Sequence, residues 1–448
     1  MAAPEHTADV SVIGLGRVGL PLALSFADRG LRVIGIDNDP VRLDSLRGGT
    51  MPFQEPGAQE LLERLGAGPG RLRLSDRVAD AAGARHIVIT LGTPSFSHIE
   101  IDMRHIRSAL DDLLGVLAPG HSLVLRSTVA PGTTEFVAGY LEKHRGFRVG
   151  EDLFVAHVPE RIAAGRFLAE IDSLPCIVGG VGARSGEATG VTRSGMTGFR
   201  EAAGVTRSGE VAAELFGVFS APIVHTTPVQ AELAKIWANI LRYTNFALPN
   251  LLMMDCERHA ANVFEVIDLI NRDYPRGGIA QPGLTAGTCL RKDFAFSEER
   301  SNAPGMLLAV SRVNESVPLF LVEGMRRRMG TIANRKVAVL GLAFKADTDD
   351  ERDSLAHKLI RLLERELADV AVHDPHVATP TAPLQEALQG ADAVVVAANH
   401  SEFRNPATLA AIGALAVAEC LVIDPWNCWG AGQVFAYASE LAALAPTQ

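Results

Sequence analysis

Cys289 stands in Gln281-Pro-Gly-Leu-Thr-Ala-Gly-Thr-Cys-Leu-Arg-Lys-Asp293, a run of small residues with a lysine and an aspartate just downstream. A thiol becomes a nucleophile at neutral pH when a nearby cation or hydrogen-bond donor favours its thiolate, and Lys292 is close enough in sequence to do so. Gly283 and Gly287 would let a bulky, flat group approach the backbone. A cysteine is also a good small core hydrophobe, so this stretch alone leaves both roles open. Lys235, Asn239 and Tyr243 form a second group, spaced to share one face of a helix. A lysine flanked by Ala234, Ile236 and Trp237 suits the partial burial that tunes an amine for proton work; on a solvated face it would be an ordinary surface charge.

A third group binds rather than reacts. Asp9-Val-Ser-Val-Ile-Gly-Leu-Gly-Arg-Val-Gly19 reads as a β-branched strand, a glycine turn and a helix start, with Gly14, Gly16 and Gly19 in the GxGxxG pattern. Gly14 permits the turn, Gly16 lets backbone approach a pyrophosphate, and Gly19 lets the helix pack on the strand. The helix N-terminus then offers amide donors and a positive dipole to phosphates. A second strand, Leu31 to Asp37, ends in an acid at the place for a ribose ligand, and its charge favours NAD over NADP.

Elements must hold these groups. Strand-like runs at His86 to Thr90 and Ser122 to Arg126 lead into Thr93-Pro94 and Ser127-Thr-Val-Ala-Pro-Gly-Thr-Thr134, and Leu153 to His157 delivers Pro159-Glu160-Arg161. Loops at such strand ends are where doubly wound sheets bind ligands. A helix starting at Pro228 carries Leu233, Ile236, Trp237, Ile240 and Leu241 as one apolar stripe, and Pro249 is expected to kink or end it. A further helical run covers Val263 to Ile270. From Arg335 a second α/β rhythm begins, with strands at Lys336, Ala368, Asp392 and Cys420 and no GxGxxG, so a second dinucleotide held in the same manner is not expected. Lys345 and Arg352 are candidate phosphate ligands there. Gly-Val-Thr-Arg-Ser-Gly at 190–195 recurs at 204–209, marking 181–209 as a glycine-rich surface insertion.

Length and charge bound the rest. A chain of 448 residues calls for two or three domains, and a net charge of −10 disfavours a general nucleic-acid or membrane-surface binder. The five cysteines, at 176, 256, 289, 420 and 428, have no CxxC pairing, so neither a metal site nor a disulfide framework is expected. No signal peptide is read at the N-terminus, and a cytoplasmic protein is the simple expectation.

Together these motifs resemble the nucleotide-sugar 6-dehydrogenases, the family of the UDP-glucose and UDP-N-acetylhexosamine enzymes. The resemblance rests on Gly14 to Gly19, Glu55-Pro-Gly57, Ser127-Thr-Val129 with Gly132-Thr-Thr134, Pro159-Glu-Arg161, Glu232-Leu-Ala-Lys235 with Asn239, Cys289 with Lys292-Asp293, and Gly341-Leu-Ala-Phe-Lys345 with Asp349, Asp350 and Arg352. It implies an α/β protein of two Rossmann-like doubly wound domains joined by a long central helix: NAD-binding residues 1–212, a central helical dimerisation segment 213–330 carrying the cysteine loop, and a UDP-sugar-binding domain 331–448. The implied reaction is a four-electron, NAD-dependent oxidation of a sugar C6 alcohol to the acid, through a Cys289 thiohemiacetal and thioester. By resemblance Lys235 and Asn239 stabilise the C6 oxygen, Asp293 with Thr128 handles protons and water, and Glu160 assists thioester hydrolysis. Gly14, Gly16, Arg17, Val18, Gly19, Asp37, Arg42, Thr93, Ser127 and Thr128 are the implied NAD ligands. Glu160, Arg161, Lys235, Asn239, Gly283, Gly287, Lys345 and Arg352 would meet the UDP-sugar, and Arg276 would reach the neighbouring site of a homodimer.

Two positions depart from the family's pattern. Ala286-Gly287 stands where two adjacent glycines are usual, in a loop one residue shorter, and Leu251 follows Asn250 where a glutamate is usual. The substrate markers conflict: the Pro-Glu-Arg and Pro275-Arg276 segments resemble the N-acetylhexosamine branch, while Cys289-Leu-Arg-Lys-Asp293 resembles the UDP-glucose and GDP-mannose branches. A two-electron β-hydroxyacid-type dehydrogenase, or a nucleotide-sugar-binding homologue without catalysis, are the alternatives.

Overall fold

A computed structural model describes residues 6–66, 70–93, 104–182, 205–284, 287–298 and 305–442. Most of the duplicated insertion, together with Pro94, Thr285 and Ala286, lies outside these. The chain divides into two compact units, Met1–Trp237 and Ala238–Gln448.

The first unit is built on eight strands: β1 (Ala8–Ile13), β2 (Val33–Ile36), β3 (Leu72–Ser75), β4 (Ala84–Ile89), β5 (Ser122–Leu125), β6 (Phe154–His157), β7 (Cys176–Gly180) and β8 (Ile223–Thr226). Their spatial order is β3-β2-β1-β4-β5-β6-β7-β8, which contains the doubly wound order 3-2-1-4-5-6. The parallel strands are apolar on both faces because helices cover both. Val10, Val12 and Val88 point into one core with Leu20, Leu24 and Phe26, while Ile13, Ile87 and Ile89 point into the other with Leu110 and Leu141. Each such side chain, fully withdrawn from water, contributes about 1.5–3 kcal/mol. From sequence the last strand of this sheet is expected to end at His157; β7 in fact returns antiparallel to β6, and β8 adds to it in parallel. Gly179 and Gly180 in β7 hid that strand, and they are required there, since a Cβ on Gly180 would lie 2.2 Å from the Gly209 nitrogen.

The second unit carries β9 (Lys336–Leu340), β10 (Asp369–His373), β11 (Ala393–Val396), β12 (Leu421–Ile423) and β13 (Phe435–Tyr437) in the order β10-β9-β11-β12-β13. Four strands are parallel as expected, and β13 closes the edge antiparallel. Val337 and Val339 face one core, Ala338 and Leu340 the other.

A single helix, Pro228–Arg258, runs through the division between the units. It does not end at Pro249. An interior proline costs a helix roughly 3 kcal/mol, and the buried residues beyond it, Asn250, Met253 and Cys256, offset this by anchoring the last turns. The expected apolar stripe is also split: Ile236 and Ile240 are buried, but Trp237 and Leu241 are 51% and 60% exposed. Among the described residues no helix is long and apolar enough to cross a membrane.

Candidate active site

In the first unit the glycine turn follows steric need. Gly14 adopts φ +95°, a region that favours glycine, and a Cβ on Gly19 would sit 1.9 Å from the Gly14 carbonyl oxygen, so the helix Gly19–Asp28 rests directly on the turn. At Gly16 a Cβ would meet nothing within 4 Å, which leaves its backbone open to a ligand. Asp37 ends β2 as a locked carboxylate: Oδ2 accepts from Leu15 N at 2.6 Å, Oδ1 from Asp39 N at 2.9 Å, and Arg42 Nη1 donates to both oxygens at 2.8 Å. Arg17 lies over the Phe53 ring at 5.0 Å, and Val18 precedes the helix as its cap residue. An open backbone turn at a helix N-terminus with an acid beside it fits a dinucleotide.

The loop after β5 is fixed twice. Thr93 Oγ1 donates to the Thr128 carbonyl at 2.9 Å, and Ser127 N donates to Ile89 O at 3.2 Å. Glu232, fully buried on the long helix, accepts from Gly132 N at 2.6 Å and from Thr134 N and Oγ1 at 2.8 and 2.5 Å. Burial raises the Glu232 carboxyl pKa while these donors oppose the rise. Glu232 therefore ties the Ser127–Thr134 loop to the turn of helix that carries half-buried Lys235; the sequence showed it in a motif without a role. Glu55 does the same for the loop after β6, accepting from Gly165 N at 2.9 Å and Phe167 N at 2.8 Å. Glu160 is buried against Arg126, with Arg126 Nη2 donating to Oε2 at 2.6 Å and Ile162 N donating to Oε1 at 2.7 Å. Arg161 donates to the Pro175 carbonyl. His157 is fully buried, and burial, with Arg126 and Lys235 adding repulsion, lowers its pKa to about 3.

In the second unit Cys289 is exposed, in the first turn of the short helix Thr288–Asp293. Asp293 is fully buried at the other end of that helix, and both its oxygens are used: Asn239 Nδ2 donates to Oδ2 at 2.6 Å and Lys292 Nζ to Oδ1 at 3.0 Å. Lys292 also lies 5.5 Å from the centre of the Phe296 ring. Four residues named from sequence are thus brought together, and Tyr243 joins them as a buried ring stacked on Phe294 at 6.3 Å. The loop leading to the cysteine is held from outside itself. Gly283 N donates to Asn250 Oδ1 at 2.8 Å, Asn250 Nδ2 to Asn314 Oδ1 at 2.9 Å, and Asn314 Nδ2 to the Tyr243 carbonyl at 3.0 Å. A Cβ on Gly283 would lie 2.4 Å from Trp426, and one on Gly287, at φ +99°, 2.6 Å from Phe344. Gly287 is thus a position where this geometry requires glycine. Leu251, the other departure, is 52% exposed on the outer side of the helix, away from buried Asn250.

The segment after β9 packs on this loop, with Gly287 N donating to Asp353 O at 3.4 Å, and is closed on itself by Phe344 N donating to Asp350 O at 3.0 Å. Arg352, exposed, is held in turn by Asp350 at 2.8 and 2.7 Å. Its pKa is raised first by that hydrogen bond, with Cys289 among the groups that attract it. Lys345 is half-buried in the same segment. Arg276 is exposed and lies over Tyr274 at 4.8 Å. Asn314 and Trp426 carried no sequence signal, and Asn250 and Phe344 stood in quoted motifs without a role, because each acts through a partner distant in the chain.

Three family models match the chain: residues 8–191 the NAD binding domain, 229–316 the central domain and 338–431 the UDP binding domain of the UDP-glucose/GDP-mannose dehydrogenase family. The chain is 31% identical over 403 residues to a UDP-N-acetyl-D-mannosamine dehydrogenase of Pyrococcus horikoshii, covering 88% of this chain and 90% of that one. It is 29% identical to an NDP-N-acetyl-D-galactosaminuronic acid dehydrogenase of Ralstonia nicotianae, over 95% and 97% of the two chains. The solved structure of a UDP-N-acetyl-mannosamine dehydrogenase from Staphylococcus aureus superposes with a TM-score of 0.80 at 28% identity, over 94% of this chain and 95% of that one.

Proposed function

The chain belongs to the UDP-glucose/GDP-mannose dehydrogenase family, and from that premise we propose that it oxidises the C6 alcohol of a UDP-N-acetylhexosamine to the carboxylate with NAD. The observation that carries this reading is the Asn239–Asp293–Lys292 cluster, which ties Asn239 of the long helix to the short helix that presents Cys289. The names of the relatives favour an N-acetylhexosamine over glucose.

NAD, held at the Gly14–Gly19 turn with Asp37, Arg42, Thr93, Ser127 and Thr128, supplies the hydride acceptor, two equivalents per acid. The protein's residues do the rest. Lys235 and Asn239 hold the C6 oxygen as charge develops on it. Cys289 adds to the C6 aldehyde as a thiohemiacetal and, after the second oxidation, carries the sugar as a thioester that water cleaves. Asp293 and Thr128 hold the protons and water of these steps, and Glu160 assists the cleavage. Lys345, Arg161 and Arg352 supply positive charge for the diphosphate and sugar, while Gly283 and Gly287, packed under Trp426 and Phe344, shape the loop beside the substrate.

We take residues 1–212, 213–330 and 331–448 as coenzyme, central and UDP-sugar parts. A homodimer is supported by Trp237, Leu241, Leu248 and Leu251, all more than half exposed along one face of the long helix. In that dimer Arg276 reaches the neighbouring site. A cytoplasmic setting suits a thiol that must stay reduced. The test is NADH absorbance with purified protein against UDP-GlcNAc, UDP-ManNAc, UDP-GalNAc, UDP-glucose and GDP-mannose. Two NADH per sugar acid are expected; one per sugar would make this a two-electron dehydrogenase, and binding without NADH a non-catalytic homologue.

A further inference from the structure

Arg126, the residue after β5, is a buried cation that the proposed chemistry does not use. Its side chain is 4% exposed and that of Glu160 9%. Nη2 donates to Glu160 at 2.6 Å, Nη1 to the Val158 carbonyl at 3.3 Å, and the guanidinium lies 4.9 Å from the centre of the Phe216 ring. Among the described residues Nε is buried with no partner. Arg126 and Glu160 also line a small, largely apolar cavity with Ile162, Leu174, Cys176 and Phe216, of a size that holds a water. Nearby His157 is fully buried with both ring nitrogens unpartnered. Burial pushes the Cys176 thiol up, so it stays neutral beside the ion pair.

Stability does not account for this arrangement. A buried ion pair is often no more stabilising than apolar residues of the same volume, and unmet buried donors mark places for ordered water. Each Glu160 oxygen takes one fixed donor, Arg126 on Oε2 and Ile162 N on Oε1, which sets the carboxylate's direction and leaves lone pairs for water.

We infer that Arg126 is a positioning residue for thioester cleavage: through its ion pair with Glu160, beside a water-holding cavity, it aims that carboxylate at the attacking water. This rests on the reading of Glu160 as the group that assists hydrolysis. In that step the water oxygen bonds to the acyl carbon as the carbon–sulfur bond breaks. One water proton passes by way of Glu160 to the leaving sulfur of Cys289, the other is released as the acid ionises, and nothing is oxidised or reduced.

The test uses the full chain with Arg126→Gln, Arg126→Lys and Glu160→Gln, each checked for folding by circular dichroism. With NAD and the preferred NDP-sugar, Arg126→Gln should release a rapid burst of two NADH per site and then turn over about 10- to 100-fold more slowly than the native enzyme. Intact-mass spectrometry should show the sugar acyl adduct accumulating on Cys289. Arg126→Lys, which keeps the charge, should be intermediate, Glu160→Gln should trap the same adduct, and the KM for NAD should stay near native. Slow turnover without an adduct, or native turnover in Arg126→Gln, overturns the inference. If the native chain oxidises no NDP-sugar, the functional reading fails and crystallography decides the geometry separately. A water in that cavity on Glu160, and a Glu160 carboxylate that turns away in Arg126→Gln, would uphold the positioning; a dry cavity or an unmoved carboxylate would refute it.

Discussion

The two units use one local device for two purposes. In the first, β1 runs into Gly14 at φ +95° and Leu15 N donates to Asp37 Oδ2 at 2.6 Å. In the second, β9 runs into Gly341, also at φ +95°, and Leu342 N donates to Asp374 Oδ2 at 2.6 Å. Both turns are thus latched by a carboxylate at the end of the neighbouring strand. They differ in the element that each turn enters. The first leads into a helix at Gly19, so free amides and a positive dipole face whatever lies over open Gly16. The second leads into an extended loop and reaches a helix only at Leu355, capped by Ser354. Gly341 is pressed on Ala398, where a Cβ would come within 2.5 Å, and Phe344 covers Gly287 of the cysteine loop. A strand-end turn without its helix offers no free helix amides to phosphates and leaves them to side chains such as Lys345 and Arg352, so the second sheet has no use for the dinucleotide pattern. The latches differ too: Asp37 pairs with part-exposed Arg42, Asp374 with His400, which is fully buried, at 3.1 Å.

If the second device serves the cysteine and the first the coenzyme, their losses should separate. The largest effect is expected from Cys289→Ala, which should lower acid formation by at least about 10⁴-fold while leaving NAD binding, measured by calorimetry, intact. Full activity in that variant would remove the cysteine from the mechanism. Next, Gly19→Ala should destabilise the first unit by about 3 kcal/mol through overpacking, whereas Gly16→Ala, with open space at its Cβ, should melt normally and raise the KM for NAD roughly tenfold. Equal losses of Tm in the two would mean that the open and packed glycines had been misjudged.

Third, Asp374→Asn should cost about 2 kcal/mol and flatten the acid limb of stability. Burial alone would raise the Asp374 pKa, but the His400 hydrogen bond and the amides of Ala343, His376 and Leu342 outweigh it and hold the carboxyl well below its usual value. Its contribution is therefore present above the unfolded pKa of about 3.9 and is lost as pH falls below that value. Thermal melts of both proteins from neutral to acid pH should converge at the acid end. The smallest effect is expected for Arg42→Ala: freeing Asp37 from a part-exposed partner worth about 1 kcal/mol should change the KM for NAD by roughly fivefold with kcat unaltered. A changed kcat would show that Arg42 does more than orient Asp37.

Much of the site was legible because its signals are local. A glycine turn between an apolar strand and a helix, an acid ending the next strand, and lysine and asparagine one helical turn apart depend only on residues near each other in the chain. The strands the sequence missed, β3, β7, β8 and β13, are short; β7 contains two glycines demanded by close packing, and β13 is an antiparallel edge. Of the kink or end expected at Pro249, the end does not occur, because buried anchors beyond the proline outweigh a local penalty.

The sequence by itself determined which groups could react and in what order along the chain they occur, together with the coenzyme turn, since backbone conformation and strand–turn–helix patterning are encoded within a few residues. Only the tertiary structure decided what each carboxylate does. Asp293 meets Asn239 across 54 positions, Glu232 meets Thr134 across 98 and Glu160 meets Arg126 across 34. A buried charge must find its partner wherever the fold brings one, and the spacing of such partners leaves no periodic trace in the chain.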